Sequence, residues 1–196
     1  MHILFVCTGN ICRSPTAERL TRAYADTHLD DPSRLTAESA GTGAVYGSAM
    51  EPTSELVLRS LGGDGRNFQA RQIDPEMVAA ADVILTMTRQ HRTRVLNTSP
   101  RALPRTFTLR EAQSLLERVP RSALSSPKDL DRRCRELVAE MGRQRATRHS
   151  ARPRSDDIRD PIGADPGTYV TVGEDIAESL TAWLDVCCGL EPEQDG

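Results

Sequence analysis

The 196-residue chain has few aromatic residues, a single lysine and no long apolar run. Aromatic side chains make up 4% of the residues, and all of the 25 basic residues except Lys128 are arginine. The formal net charge of −3 argues against a general nucleic-acid-binding protein. No stretch approaches the roughly 18 apolar residues of a transmembrane helix, and Met1 and His2 lead directly into an apolar segment. We therefore expect no membrane partner, no signal peptide and a cytoplasmic location.

The cysteines lack the spacing of a metal site. None of the five, at positions 7, 12, 134, 187 and 188, forms a C-x-x-C pair or a Cys/His set at ligand spacing. The sequence therefore predicts no metal and no other cofactor. Their odd number, without a secretion signal, also argues against a disulfide framework.

Strand-like and helix-like segments alternate along the first 108 residues. Strands are predicted at 2–6, 35–40, 82–87 and 105–108, and helices at 15–26, 52–61, 75–81 and 89–96. Strands and helices that alternate through short loops favour a three-layer α/β fold with a four-stranded parallel sheet. The length suits one domain, residues 1–190, followed by a disordered acidic tail at 191–196.

Residues 109–155 interrupt this alternation. Helices are predicted at 109–118 and 129–141, and a final amphipathic helix follows later, at 172–186. Between them, residues 142–155 are rich in arginine and nearly free of apolar side chains. We interpret this stretch as a mobile, solvated insertion, with a basic arm for phosphorylated or acidic partners as the alternative.

The loop after the first strand carries the chemistry. Cys7 and Arg13 are separated by five residues, so a tight loop can turn both toward one centre while its N–H groups and the next helix N-terminus bind an anion. The positive electrostatic potential of these N–H groups and of the helix N-terminus stabilises a thiolate at Cys7. The Arg13 guanidinium can bind two phosphate oxygens. Ser14 suits a helix N-cap and can donate to the Cys7 sulfur. The predicted phosphate-binding residues are Thr8, Gly9, Asn10, Ile11, Cys12, Arg13 and Ser14.

The nine residues Cys-Thr-Gly-Asn-Ile-Cys-Arg-Ser-Pro at 7–15 resemble the signature of low-molecular-weight protein tyrosine phosphatases. Ser-Ala-Gly-Thr at 39–42 and the block around 82–96 are similar to that family too. The resemblance implies a flavodoxin-like fold, a cysteinyl-phosphate intermediate, no metal and an aspartate general acid in a late Asp-Pro pair. Asp160, before Pro161, matches that pattern, and Asp157 is the second candidate.

Four further residues lie near the expected site. Tyr46 is either an aromatic wall for a phosphotyrosine ring or an ordinary loop residue. Ile162 occupies the position of a second wall of the substrate cleft, where the family usually has tyrosine or phenylalanine. Cys12 either captures an oxidised Cys7 as a disulfide or packs in the interior. His91 is predicted to be a surface residue, with a catalytic role as the less favoured alternative.

Four activities compete. A phosphotyrosine phosphatase is favoured, acting on phosphorylated protein and binding inorganic phosphate. Protein arginine phosphatases are similar but tend to carry threonine at the position of Ile11, whose branched side chain should crowd a guanidinium. Related arsenate reductases use two further cysteines after the third strand, and residues 79–96 contain none. A non-catalytic phosphate-binding or redox-sensing module is the remaining alternative.

Overall fold

The computed structural model describes residues 1–147 and 156–191, in which parallel strands alternate with helices. The strands are β1 (His2–Cys7), β2 (Thr36–Gly41), β3 (Val83–Thr86) and β4 (Thr106–Thr108). The helices are α1 (Arg13–His28), α2 (Pro52–Ser60), α3 (Pro75–Ala80), α4 (Arg89–Thr98), α5 (Leu109–Leu116), α6 (Leu130–Thr147) and α7 (Pro166–Cys188).

The four strands form one sheet in the order β2-β1-β3-β4, and every neighbouring pair is parallel. Cys7 pairs with Gly41 at one side of β1, and Val6 pairs with Thr86 at the other. The predicted α/β class and four-stranded parallel sheet are confirmed.

Strict alternation along β1 sorts its side chains between two apolar layers. Ile3 and Phe5 are fully buried in the larger core, which α1, α5, α6 and α7 cover. Leu4 and Val6 point to the opposite face, where they join a smaller core that includes Val78 of α3 and Val95 of α4. Because successive residues of a strand point to opposite faces, five consecutive buried residues in β1 require helices on both sides of the sheet.

Two helix starts differ from their predicted positions. Helix α1 begins at Arg13, and its N-cap residue, Cys12, makes no side-chain cap hydrogen bond. The predicted N-cap, Ser14, is inside the helix because its hydroxyl is used by Cys7 instead, at 2.9 Å. Helix α7 begins at Pro166, six residues earlier than position 172, because the Asp165 side chain caps it by accepting from the Thr168 N–H at 3.1 Å.

Part of the arginine-rich segment is ordered, contrary to the prediction of a mobile insertion. Helix α6 extends to residue 147, and Arg145 lies on the core with its guanidinium 4.6 Å from the Phe107 ring centroid. Arg145 also donates to the carbonyl oxygens of Thr106 and Leu103, each at 2.8 Å. Contacts between distant elements thus fix residues that lack an apolar pattern. Residues 148–155, and residues 192–196 of the predicted tail, lie outside the described residues.

One disulfide bond is present, so the expectation of no disulfide framework was wrong for this pair. Cys134 of α6 and Cys187 of α7 are bonded, with their Cα atoms 5.1 Å apart. They are separated by 53 positions in the sequence, and the count of cysteines carries no information on how two helices pack. Cys7, Cys12 and Cys188 are free and buried.

Residues 1–147 and 156–191 contain neither a membrane-spanning helix nor a cluster of metal ligands. None of the helices there is long and apolar enough to cross a bilayer. The same residues contain no group of three or more His, Cys, Asp or Glu side chains that could hold a metal ion.

Gly41 closes β2 against the loop that follows β1, and we expect this position to reject any side chain. A Cβ atom at residue 41 would lie 2.3 Å from the Thr8 carbonyl oxygen and 2.9 Å from the Ala44 Cα, both backbone atoms. Gly41→Ala should therefore lower the free energy of unfolding by about 1–3 kcal/mol, as overpacking does. Gly43→Ala is the matched control, because nothing lies within 4 Å of its Cβ position. Urea unfolding of both variants measures the difference, and equal stabilities would contradict the packing argument.

Candidate active site

Three segments meet at the carboxyl edge of the sheet. The chain leaves β1 at Cys7, and β2 ends beside it at Gly41. The Met87 N–H donates to the Val6 carbonyl at 2.9 Å, and the Ile158 N–H donates to the Met87 carbonyl at 2.8 Å. The loop that contains Asp160 is thereby attached to the end of β3, next to the loop that follows β1. This edge is where parallel α/β sheets bind ligands.

Asn10 fixes the shape of the 7–14 loop. Its side chain is fully buried, and its Nδ2 donates to Ser14 Oγ and Ser39 Oγ, both at 2.9 Å. Its Oδ1 accepts from the Arg71 N–H at 2.7 Å. The backbone at Asn10 has a φ of 55°, the left-handed region that asparagine tolerates better than most residues. These contacts brace the loop from inside the protein.

A buried carboxylate, Glu18, supports Asn10 through Ser39, and the sequence analysis did not identify it. Ser39 Oγ donates to Glu18 Oε2 at 2.6 Å, and Glu18 is 2% exposed. Arg22, one helical turn later, balances the charge of Glu18 at 2.6 Å. An acidic residue directly beside Ala17 on the buried side of α1 is the one local sign that could have identified this pair.

The Cys7 sulfur is 2% exposed and has two potential hydrogen-bond donors. The Asn10 N–H donates to Sγ at 3.3 Å, and Ser14 Oγ lies 2.9 Å from it. Ser14 Oγ already accepts from Asn10 Nδ2, so its own proton is available to the sulfur. Both groups are therefore placed to donate to the sulfur.

Arg13 links the 7–14 loop to the loop of the candidate acid. Its guanidinium is 4% exposed, and Nη1 donates to the Ile158 carbonyl at 3.0 Å. Nη2 forms an ion pair with Asp160 Oδ2 at 2.5 Å, and the Asp160 side chain is 49% exposed. The structure therefore brings Asp160 to Arg13, 147 residues earlier in the chain, and the residue after Arg13, Ser14, contacts the Cys7 sulfur.

The second candidate acid, Asp157, is occupied elsewhere. Its Oδ1 accepts from the backbone N–H of Arg89 at 2.7 Å, at the N-terminus of α4. The Arg89 Nε lies 3.7 Å from the same oxygen. Asp157 thus joins its loop to α4, whereas Asp160 is the aspartate paired with Arg13.

His91 is a buried residue of this site, and its prediction as a surface residue was wrong. It is 2% exposed, with Nε2 2.9 Å from Thr8 Oγ1 and Nδ1 3.0 Å from Thr88 Oγ1. Burial lowers the pKa of His91 to about 4, and the positive charges of Arg13 and Arg94 act in the same direction. The ring is therefore neutral at neutral pH. The missed sign was its place in the first turn of α4, directly after β3, which faces the carboxyl edge.

The two side chains predicted to form walls of the substrate cleft are exposed to solvent. Tyr46 is 81% exposed and Ile162 is 53% exposed. Val45, which the sequence did not single out, lies nearer the loop, because its N–H donates to the Gly9 carbonyl at 2.9 Å. A Cβ built on Gly9 would meet Val45 Cγ2 at 3.6 Å and Ile11 Cγ1 at 3.5 Å. Val45 and Ile11 therefore border the loop closely.

Cys12 lies in the interior beside the loop. It is 4% exposed and packs with Val57 and Tyr169. Burial raises the pKa of its thiol to about 12, against a smaller lowering by a hydrogen bond with Ser54. Cys12 is thus a neutral thiol at physiological pH.

Comparison with known sequences identifies relatives over much of the chain. The family model "low molecular weight phosphotyrosine protein phosphatase" matches residues 2–140, a range that ends before Asp160. The protein-tyrosine-phosphatase Wzb of Escherichia coli K12 is 41% identical over 99 residues, which are 50% of this chain and 63% of Wzb. A protein-arginine-phosphatase of Geobacillus stearothermophilus is 33% identical over 109 residues, which are 56% of this chain and 69% of that protein. The chain thus spans less than two thirds of the first curated relative.

Comparison with solved structures supports the fold. The tyrosine phosphatase AmsI of Erwinia amylovora superimposes with a TM-score of 0.66 at 22% identity, over 94% of this chain and 91% of that chain. At this identity the likeness concerns the fold alone. The family model covers well over half of the sequence, including the whole 7–14 loop. The chain therefore belongs to the low molecular weight phosphotyrosine protein phosphatase family.

Proposed function

We propose that this protein is a cysteine-dependent protein phosphatase that hydrolyses phosphotyrosine. The observation that carries the proposal is the meeting of Cys7, Arg13 and Asp160 at the carboxyl edge of the sheet. A nucleophile with hydrogen-bond donors, a cation for phosphoryl oxygens and a carboxyl group for the leaving oxygen are the groups that phosphate monoester transfer requires. Family membership of residues 2–140 supports the same conclusion.

In the first step, the Cys7 thiolate attacks phosphorus and the bond to the tyrosine oxygen breaks. Loop N–H groups and the Arg13 guanidinium stabilise the equatorial phosphoryl oxygens. Asp160 in its acid form gives its proton to the departing oxygen. Bound phosphate competes with Asp160 for Arg13 Nη2, which frees the carboxyl group from its ion pair. The products are tyrosine and a Cys7 phosphate.

In the second step, water displaces the sulfur. Asp160, now a carboxylate, accepts a proton from the attacking water, and the P–S bond breaks to release inorganic phosphate. The leaving sulfur receives hydrogen bonds from the Asn10 N–H and the Ser14 hydroxyl. Asp160 ends protonated, ready for another cycle, and Cys7 returns to the thiolate.

We propose that Cys12 is a packing residue and does not form a disulfide with an oxidised Cys7. Capture of an oxidised Cys7 would require a Cys12 thiolate, and burial raises the pKa of this thiol to about 12. We assign Cys12 to the packing around Val57 and Tyr169. The proposed partners are phosphorylated protein and inorganic phosphate, without metal, nucleic acid or membrane, in the cytoplasm.

Asp160→Asn should lower kcat for a phosphotyrosine peptide by about 10²- to 10⁴-fold, the usual contribution of a general acid. The matched control is Asp157→Asn, because Asp157 binds the Arg89 N–H and carries the same charge three residues away. Steady-state turnover of both variants, with folding checked by circular dichroism, makes the comparison. A larger loss in the Asp157 variant would assign the acid to Asp157.

The relatives include both a tyrosine and an arginine phosphatase, so phosphoarginine is the second candidate substrate. Ile11 bears on the choice, because it packs against two apolar clusters that contain Met50, Leu58 and Val57. A branched apolar side chain there favours an aryl group over a hydrated guanidinium.

We expect a higher kcat/KM for a phosphotyrosine peptide than for the same peptide with phosphoarginine. Ile11→Thr should move the ratio of the two toward phosphoarginine by relieving the apolar contact. Paired assays on both peptides measure the ratio in the wild type and the variant. A wild-type preference for phosphoarginine would mean that Ile11 does not select the substrate as argued.

A further inference from the structure

A cavity outside the candidate active site opens beside the loops of that site. It has a volume of about 290 Å³ and lies between the chain after β2, the start of α3 and one side of α4. Its polar lining includes Thr42, Gln72, Asp74, Arg94 and Thr98. Half-buried Ile73 supplies apolar surface, and Val78 and Val95 are buried behind the cavity wall. The proposed reaction uses none of these side chains.

Backbone contacts place this cavity next to the reacting residues. The Thr42 N–H donates to the Cys7 carbonyl at 2.9 Å, and the Gly43 N–H donates to the Thr8 carbonyl at 3.1 Å. Arg94 Nη1 donates to Thr42 Oγ1 at 3.1 Å. One residue, Thr42, therefore connects the Arg94 guanidinium to the backbone of Cys7. The charge of Arg94 also contributes to the lowered pKa of His91, which contacts Thr8.

Arg94 carries a charge that its neighbours do not balance. On the same helix, Arg89 pairs with Asp157 and Arg92 pairs with Glu111. Arg94 is exposed and forms no ion pair with any residue of the described ranges. An unpaired cation beside the catalytic edge attracts an anion from outside the chain.

The other polar groups of the cavity leave donors available. Gln72 Oε1 accepts from the Ala44 N–H at 2.9 Å, so the two N–H donors of its Nε2 are not used by that bond. Asp74 is the one carboxylate of the lining, and its Oδ1 accepts from the Met77 N–H at 2.8 Å as the cap of α3. Positive charge and N–H donors therefore dominate around Arg94.

We propose that this cavity binds the side chain of an acidic residue of the substrate, an aspartate or glutamate close in sequence to the phosphorylated residue. Arg94 binds the carboxylate, and the apolar surface of Ile73 accepts its methylene groups. The inference rests on the proposed phosphatase function and adds a sequence preference to it. Selection of acidic neighbours follows because a basic or neutral neighbour leaves Arg94 unpaired.

The test compares phosphotyrosine peptides that differ by glutamate or glutamine at one flanking position, scanned over both sides of the phosphotyrosine. At low salt, we expect kcat/KM to be about two- to fivefold higher for glutamate at the position that reaches the cavity, the range of an exposed ion pair. Arg94→Gln should bring that ratio close to one. Arg94→Glu should reverse the preference, so that lysine at the same position is favoured.

Arg118→Gln is the matched control, because Arg118 is also exposed and follows α5, outside the cavity. It should retain the wild-type glutamate-to-glutamine ratio. Hydrolysis of p-nitrophenyl phosphate, which has no flanking residues, tests the phosphatase activity separately from the subsite. If the enzyme hydrolyses p-nitrophenyl phosphate but shows no preference for glutamate in the peptides, the subsite alone is overturned. The same holds if the preference for glutamate survives in Arg94→Glu. No turnover of any substrate would overturn the phosphatase function and the subsite with it.

Discussion

The buried side chain of Asn10 fixes the shape of the 7–14 loop, in which the Asn10 N–H and the Ser14 hydroxyl lie within hydrogen-bond distance of the Cys7 sulfur. Asn10 reaches Ser14 within the loop, Ser39 at the end of β2, and the backbone of Arg71. Removing any of these partners leaves a buried polar group unsatisfied, which costs about 1–3 kcal/mol. The loop is thus fixed by the fold before any substrate binds, and preorganised donors are the ones that stabilise a transition state effectively.

The fold adds the remaining groups because parallel strands present their carboxyl ends at one edge. Met87, at the end of β3, binds Ile158, and this contact sets the distance between Arg13 and Asp160. The same edge brings the first turn of α4 against the loop, so His91 supports Thr8 as a neutral donor or acceptor. Each group comes from a different segment, and the sheet is the element common to all of them.

Local features were predictable from the sequence, and long-range pairings were not. The 7–14 loop was predicted from spacing and residue type at neighbouring positions, and the choice of Asp160 as the candidate acid came from the resemblance to the family pattern. The partnership of Glu18 with Ser39, the burial of His91 and the Cys134–Cys187 bond depend on how distant elements pack. Hydrophobic periodicity carries no information on these contacts. The start of α7 was missed for a different reason, since the cap-and-start pair Asp165-Pro166 lies before the amphipathic stretch from which the helix was predicted.

The central claim is that Cys7 becomes phosphorylated during turnover. Rapid acid quenching of the enzyme with a phosphotyrosine peptide, followed by peptide mass spectrometry, tests it directly. The account predicts one phosphate on the peptide that contains Cys7, absent when the substrate is omitted and absent in Cys7→Ser. Sustained turnover with no phosphate on Cys7, or with the phosphate on another residue, would contradict it.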